Sequence, residues 1–183
     1  MSLRKTGVLV LLMLCLVGCG NQYMRKVETR PVIAPDPSKA TLVIYRSTSY
    51  GFIKEIHNYV DKAYVGTTKG KCYFATKVDP GTHYVIADAE NKACAKINFE
   101  ANKVYYLNQL IFMGIMSART GFNGSNPDDF ENQKNEMDYE ILNPEEKGPS
   151  LDEKDYTQTV ADFEKEDKED PNKHKDTDNL KGY

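Results

Sequence analysis

The stretch CYFATKVDPGTHYVIADAENKACAKINF, residues 72–99, decides the fold. Its first seven residues set Cys72, Phe74, Thr76 and Val78 against Tyr73, Ala75 and Lys77. That period of two is the signature of a β-strand. Asp79-Pro80-Gly81-Thr82 follows as a turn, because Pro fixes one dihedral and Gly tolerates positive φ. His83–Ala87 resumes a strand, Glu90-Asn91-Lys92 interrupts it, and Ala93–Phe99 forms another with Ala95, Ile97 and Phe99 on one face. The pattern continues on both sides. Upstream, Thr41–Tyr45 is β-rich, and His57–Val60 and Ala63–Val65 flank an Asp61-Lys62 hairpin turn. Downstream, Ala101-Asn102-Lys103 turns into a long apolar strand, Val104–Met113. Six or seven short strands with turn signals about every ten residues predict an all-β domain. The expected form is a small antiparallel β-sandwich (Ig/prealbumin-like) over residues 40–126.

The 183 residues divide by charge. Residues 1–126 hold 16 Lys/Arg and 8 Asp/Glu, whereas residues 127–183 hold 8 Lys/Arg and 19 Asp/Glu. The formal total of −3 therefore joins a basic body to an acidic tail. The tail is poor in apolar residues, and such composition predicts large-scale disorder. Two segments inside it stand out. Met137–Leu142 suits a short element, and Tyr156, Val160 and Phe163 recur at roughly helical spacing.

The N-terminus reads as an address. Arg4 and Lys5 precede an apolar run, Gly7–Leu16, too short to span a bilayer but suited to a signal peptide over 1–18. Leu16-Val17-Gly18-Cys19 resembles the lipobox of bacterial lipoproteins. The resemblance implies cleavage after Gly18 and a diacylglyceryl group on the Cys19 sulfur. Gly20, where Asp would favour the inner membrane, implies the outer membrane of the cell envelope. Residues 19–39, with Pro31, Pro35 and Pro37, read as a flexible tether.

Chemistry-bearing residues are few. Cys72 and Cys94 remain after maturation, and an oxidising compartment makes them a candidate disulfide. Against it, Cys72 shares a face with Phe74 while Cys94 lies opposite Ile97 and Phe99. His57 and His83 lack a third ligand at zinc spacing. His83 reads as a hydrogen-bonding residue at a strand start, with general base as the rival role. Asp176-Thr177-Asp178 lacks the Gly and distal Glu of a calcium loop. No phosphate loop, nucleophile elbow or paired catalytic carboxylates are present in a recognisable frame. No metal, cofactor or nucleic acid is implied.

The segment Ala40–Arg119 resembles the family of bacterial lipoprotein domains catalogued as domain of unknown function 2846. The resemblance rests on Ala40–Arg46, Tyr59-Val60-Asp61 with Val65-Gly66, Tyr73-Phe74, Val78–His83, and Tyr105-Tyr106 with Met113-Gly114. Lys62 and Ala63 stand where that family often has Gly. The hairpin and the Pro-Gly-x-His step are also similar to PEGA-type modules. The resemblance implies a β-sandwich-like fold, an envelope location and no known activity. The expectation is a non-catalytic, lipid-anchored periplasmic module that binds an envelope protein. Alternatives are a peptidoglycan or surface-glycan binder using tyrosine platforms, and an envelope hydrolase dependent on His83.

Overall fold

The computed structural model describes residues 21–113, 118–178 and 180–183; the signal peptide expected over 1–18, Cys19 and Gly114 lie outside them. Among the described residues ten strands run in chain order: β1 (Met24–Lys26), β2 (Ala40–Arg46), β3 (Glu55–Val60), β4 (Ala63–Lys69), β5 (Cys72–Val78), β6 (Gly81–Asp88), β7 (Lys92–Phe99), β8 (Val104–Met113), β9 (Ala118–Ser125) and β10 (Asp138–Leu142). Helix α1 (Pro127–Gln133) and a 3-10 turn (Lys134–Glu136) precede β10, and α2 (Glu153–Glu169) and α3 (Lys175–Asp178) follow it.

Two sheets form. One has the order β1-β10-β5-β2-β8-β9, the other β4-β3-β6-β7. The second is antiparallel throughout. The first is mixed, because β2 runs parallel to β8 and β10 parallel to β5. The all-antiparallel expectation is corrected there. The physical reason lies in the turns. Asp79-Pro80 and Ala101–Lys103 do not close hairpins: each carries the chain from one sheet to the other, so β8 enters beside β2 rather than beside β7. The Asp61-Lys62 turn does close a two-residue hairpin, with Asp61 at φ 53°.

The sheets meet over a shared core. Leu42, Ile44, Phe74, Tyr105 and Leu107 come from the first, and Val60, Val85, Ala95, Ile97 and Phe99 from the second. A polar bridge crosses this core. Thr68 Oγ1 donates to Gln109 Oε1, and Gln109 Nε2 donates to Asn58 Oδ1 at 2.7 Å, all three residues being buried. Buried polar groups are tolerated when paired in this way.

The outer faces are covered as well, and the tail covers them. Phe130 of α1, Met137 just before β10 and Tyr139 within it pack on Val43, Tyr45, Tyr73 and Tyr106. Leu151, Tyr156 and Val160 pack near Tyr59 and Ile86 on the second sheet. The disordered-tail expectation is therefore corrected for the described residues. Average composition hid a few apolar side chains spaced to meet a hydrophobic sheet face, and those suffice to order the segment. Every residue of β2 is buried, which is why Leu42–Tyr45 is a continuous apolar run rather than an alternation. The tether expectation is corrected too: Met24 is buried, β1 pairs with β10, and Val27 and Ile33 join the outer cluster.

Asn126 caps α1, accepting from the Asp129 N–H at 2.9 Å with Pro127 in the first turn, and Asp152 caps α2 by accepting from the Lys154 N–H at 2.8 Å. Asn123-Gly124, a turn signal in sequence, lies inside β9. Gly124 is there because the backbone of Asp176 passes where a Cβ would stand.

Candidate functional site

The face that begins the described chain carries the most unusual arrangement. β2 ends in Arg46, a cation with no exposed surface. Its inward register places it beside Cys72. The guanidinium donates instead to three backbone carbonyls of the following loop. Nη1 reaches Lys54 O at 3.1 Å, and Nη2 reaches Tyr50 O at 2.6 Å and Gly51 O at 2.8 Å. Nε has no hydrogen-bond partner among the described residues. Burial lowers its pKa, as desolvation disfavours the charged form.

The clamp fixes the backbone of residues 47–54. Lys54 N–H donates to Gly51 O at 2.9 Å, Tyr50 N–H to Thr48 Oγ1 at 3.1 Å, and Gly51 takes φ 64°, a conformation suited to glycine. The side chains are turned out. Tyr50 is 58 % exposed, Phe52 64 % and Ile53 73 %. Three large apolar groups exposed within four loop positions are a contact surface, since a solitary exposed apolar residue is common and a cluster is not.

Phe52 and Ile53 line a depression of about 620 Å³ together with Asn21, Met24, Lys69 and Glu140. Asn21 is held there: its Nδ2 donates to Thr67 O at 2.9 Å and to Glu140 Oε2 at 3.2 Å. Burial pushes the Glu140 carboxyl up to about 7 despite that bond. Tyr23 stands edge-on to His57 and Tyr64, at 5.6 and 6.0 Å between centroids.

A second, polar groove of about 900 Å³ lies between β7, β9 and the C-terminal helices. Its charges are knit together. Lys92 pairs with Asp88 and Asp155, and Lys173 with Glu166. His174 lies 3.6 Å from Glu166 and 4.4 Å from the Phe163 ring.

The residues singled out in sequence fall as follows. Cys19 lies outside the described residues. Cys72 and Cys94 are free thiols. Cys72 faces the inner core and Cys94 the outer face of the second sheet, so strand parity keeps them apart. Burial pushes both thiols up to about 12, which leaves little thiolate at neutral pH. His57 and His83 do not meet across their strands. His57 Nδ1 lies 2.8 Å from Thr67 Oγ1. His83 Nδ1 lies 2.7 Å from Asp61 Oδ2, and Asp61 Oδ1 accepts the Tyr84 N–H at 3.0 Å. That pair ties the β3–β4 turn to β6, the structural role. Among the described residues no cluster of three His, Cys, Asp or Glu side chains is placed to hold a metal. Of the twelve tyrosines, Tyr45, Tyr59, Tyr73, Tyr105, Tyr106 and Tyr139 are buried. Sequence reasoning missed Tyr50, Phe52 and Ile53; the acid-free apolar run Tyr50–Ile53 between two strands was the available signal.

Residues 36–123 match the family model described as protein of unknown function (DUF2846). That likeness spans 88 of the 183 residues. The match runs from just before β2 into β9, so it includes the Arg46 clamp and its loop and stops short of α1, β10 and α2. No curated protein and no solved structure matches the chain. No helix among the described residues is long and apolar enough to cross a membrane.

Proposed function

We propose that this protein is a non-catalytic, lipid-anchored lipoprotein of the bacterial cell envelope, whose DUF2846 domain binds another envelope component close to the membrane. One observation carries the reading. The lipobox cysteine, Cys19, stands two residues before Asn21, and Asn21 is already bonded into the domain. Two residues span at most about 7 Å. A lipid on Cys19 would hold the β-domain flush with the bilayer, with no long tether between. The acyl chains supply the anchoring, at about 0.8 kcal/mol for each buried CH₂.

The lack of catalytic function is supported by the placement of the candidate groups. His83 is engaged by Asp61, and burial holds both thiols protonated. A protein partner is preferred over a glycan because six tyrosines that would serve as stacking platforms pack inside. Strand addition is disfavoured on two edges, since α2 and α3 lie along β7 and α3 along β9. The experiment is expression of the parent and Cys19→Ala forms with labelled fatty acid, followed by fractionation. The parent takes up label and pellets with membranes; Cys19→Ala does neither. Uptake of label by Cys19→Ala overturns the anchor.

A further inference from the structure

We propose that the Tyr50–Ile53 loop is a second membrane contact, seated in the interfacial layer of the lipid bilayer beside the acylated N-terminus. The inference rests on the anchor reading above. Asn21 and the side chains of Phe52 and Ile53 line one depression, so the loop and the start of the chain share a face. A lipid two residues upstream of Asn21 brings that face against the bilayer. The loop is suited to the position. An aromatic with a hydroxyl, a second aromatic and a branched aliphatic stand outward together, and such residues settle at the boundary between headgroups and acyl chains.

Arg46 is the device that makes this contact stable. An apolar loop free to rearrange would fold its side chains inward. Three carbonyl bonds from a buried guanidinium hold the backbone, so the apolar groups stay outward.

The contact is apolar rather than electrostatic. The lysines around the loop already have acidic partners: Lys26 with Asp138, Lys54 with Glu90, Lys69 with Glu55 and Lys71 with Glu136, at 2.7–3.1 Å. Docking should therefore be indifferent to lipid charge.

The test uses the full-length lipidated protein in phosphatidylcholine vesicles, with a fluorophore on Phe52→Cys and, in a second variant, on Ile53→Cys. Cys72 is buried, and the half-buried Cys94 has its thiol pushed up to about 12, which directs the label to the new, exposed thiol. Asp79→Cys is the control. It follows β5, at the end where Val78 opposes Ala40, while Cys72 at the other end opposes Arg46. Six strand residues put it about 20 Å from the clamp. Mass spectrometry of the Cys19 peptide is done first. A lipidated peptide with labels at 52 and 53 quenched at least twofold by shallow nitroxide lipids, label 79 unquenched, and no change when half the lipid is phosphatidylglycerol is the expected result. If Cys19 is lipidated but labels 52 and 53 are quenched by aqueous iodide as strongly as label 79, the docking inference is wrong and the anchor stands. Labels 52 and 53 shielded from iodide yet unquenched by lipid would point to a protein occupant and also overturn it. A Cys19 peptide without lipid removes both readings together.

Discussion

Replacing Phe130 by Ala tests whether the acidic C-terminal segment is part of the fold. Phe130 has no exposed surface. Its ring stands 5.1 Å from Tyr73, 5.3 Å from Tyr106 and 5.4 Å from Tyr45, between centroids. Burial of a phenylalanine side chain stabilises by about 1.5–3 kcal/mol. Each aromatic pair adds about 0.5–1.5 kcal/mol. Truncation to Ala also leaves a cavity that three tyrosines on a rigid sheet cannot close. The loss should fall at about 3–5 kcal/mol, the range seen for buried Phe→Ala changes. For a domain of this size each kcal/mol lowers Tm by about 2–4 °C, so the variant should melt roughly 6–20 °C below the parent. Calorimetry gives Tm, and urea unfolding gives the free energy with a check that the slope is unchanged. A segment merely attracted to the basic body would show none of this. A loss below about 1 kcal/mol with an unchanged slope would refute the packing argument.

Two further outcomes follow from the titrating groups. The Glu140 carboxyl is pushed up to about 7 in the folded state, above its ordinary 4.5, so folding favours its protonated form. Its charge then costs stability progressively as pH rises from about 4.5 to 7, and fully above that. Glu140→Gln should match the parent near pH 4 and exceed it at pH 8 by on the order of 1–2 kcal/mol, allowing for its partial exposure; equal urea midpoints at pH 8 would count against the burial argument. Cys72 and Cys94 should both react with a thiol reagent after unfolding without reductant, and hardly at all before it; failure to react when unfolded would reveal a disulfide.

Much of the β-framework was legible because local pattern and burial agree there. Ala95, Ile97 and Phe99 alternate in sequence and line the core in the fold. The same parity correctly set Cys94 on the face opposite them. Asp61-Lys62 read as a hairpin and is one. What failed was non-local. Asp79-Pro80-Gly81 reads identically whether it joins two strands of one sheet or crosses between sheets, and only the crossing brings β8 parallel to β2. β9 was missed because Asn123-Gly124 signals a turn, while its glycine answers to a backbone fifty residues later. The helical spacing of Tyr156, Val160 and Phe163 was visible, and the surface they fold on turned out to be the protein's own second sheet. Arg46 could not be read at all. A charged residue at a strand end ordinarily points to water, and its burial depends on a loop whose shape it determines.

The pairing of β1 with β10 has a consequence for biogenesis. Met24 opposes Leu142 and Lys26 opposes Glu140, partners separated by more than a hundred residues. During synthesis, and during any threading through a pore amino end first, β1 emerges long before its neighbour exists. Meanwhile β5 has an open flank, which β10 occupies only at the end. An unpaired strand flank of this kind is a template for another nascent chain. The late arrival of β10 thus sets an interval in which a holding chaperone, or simple dilution, would decide between pairing within the chain and intermolecular strand exchange.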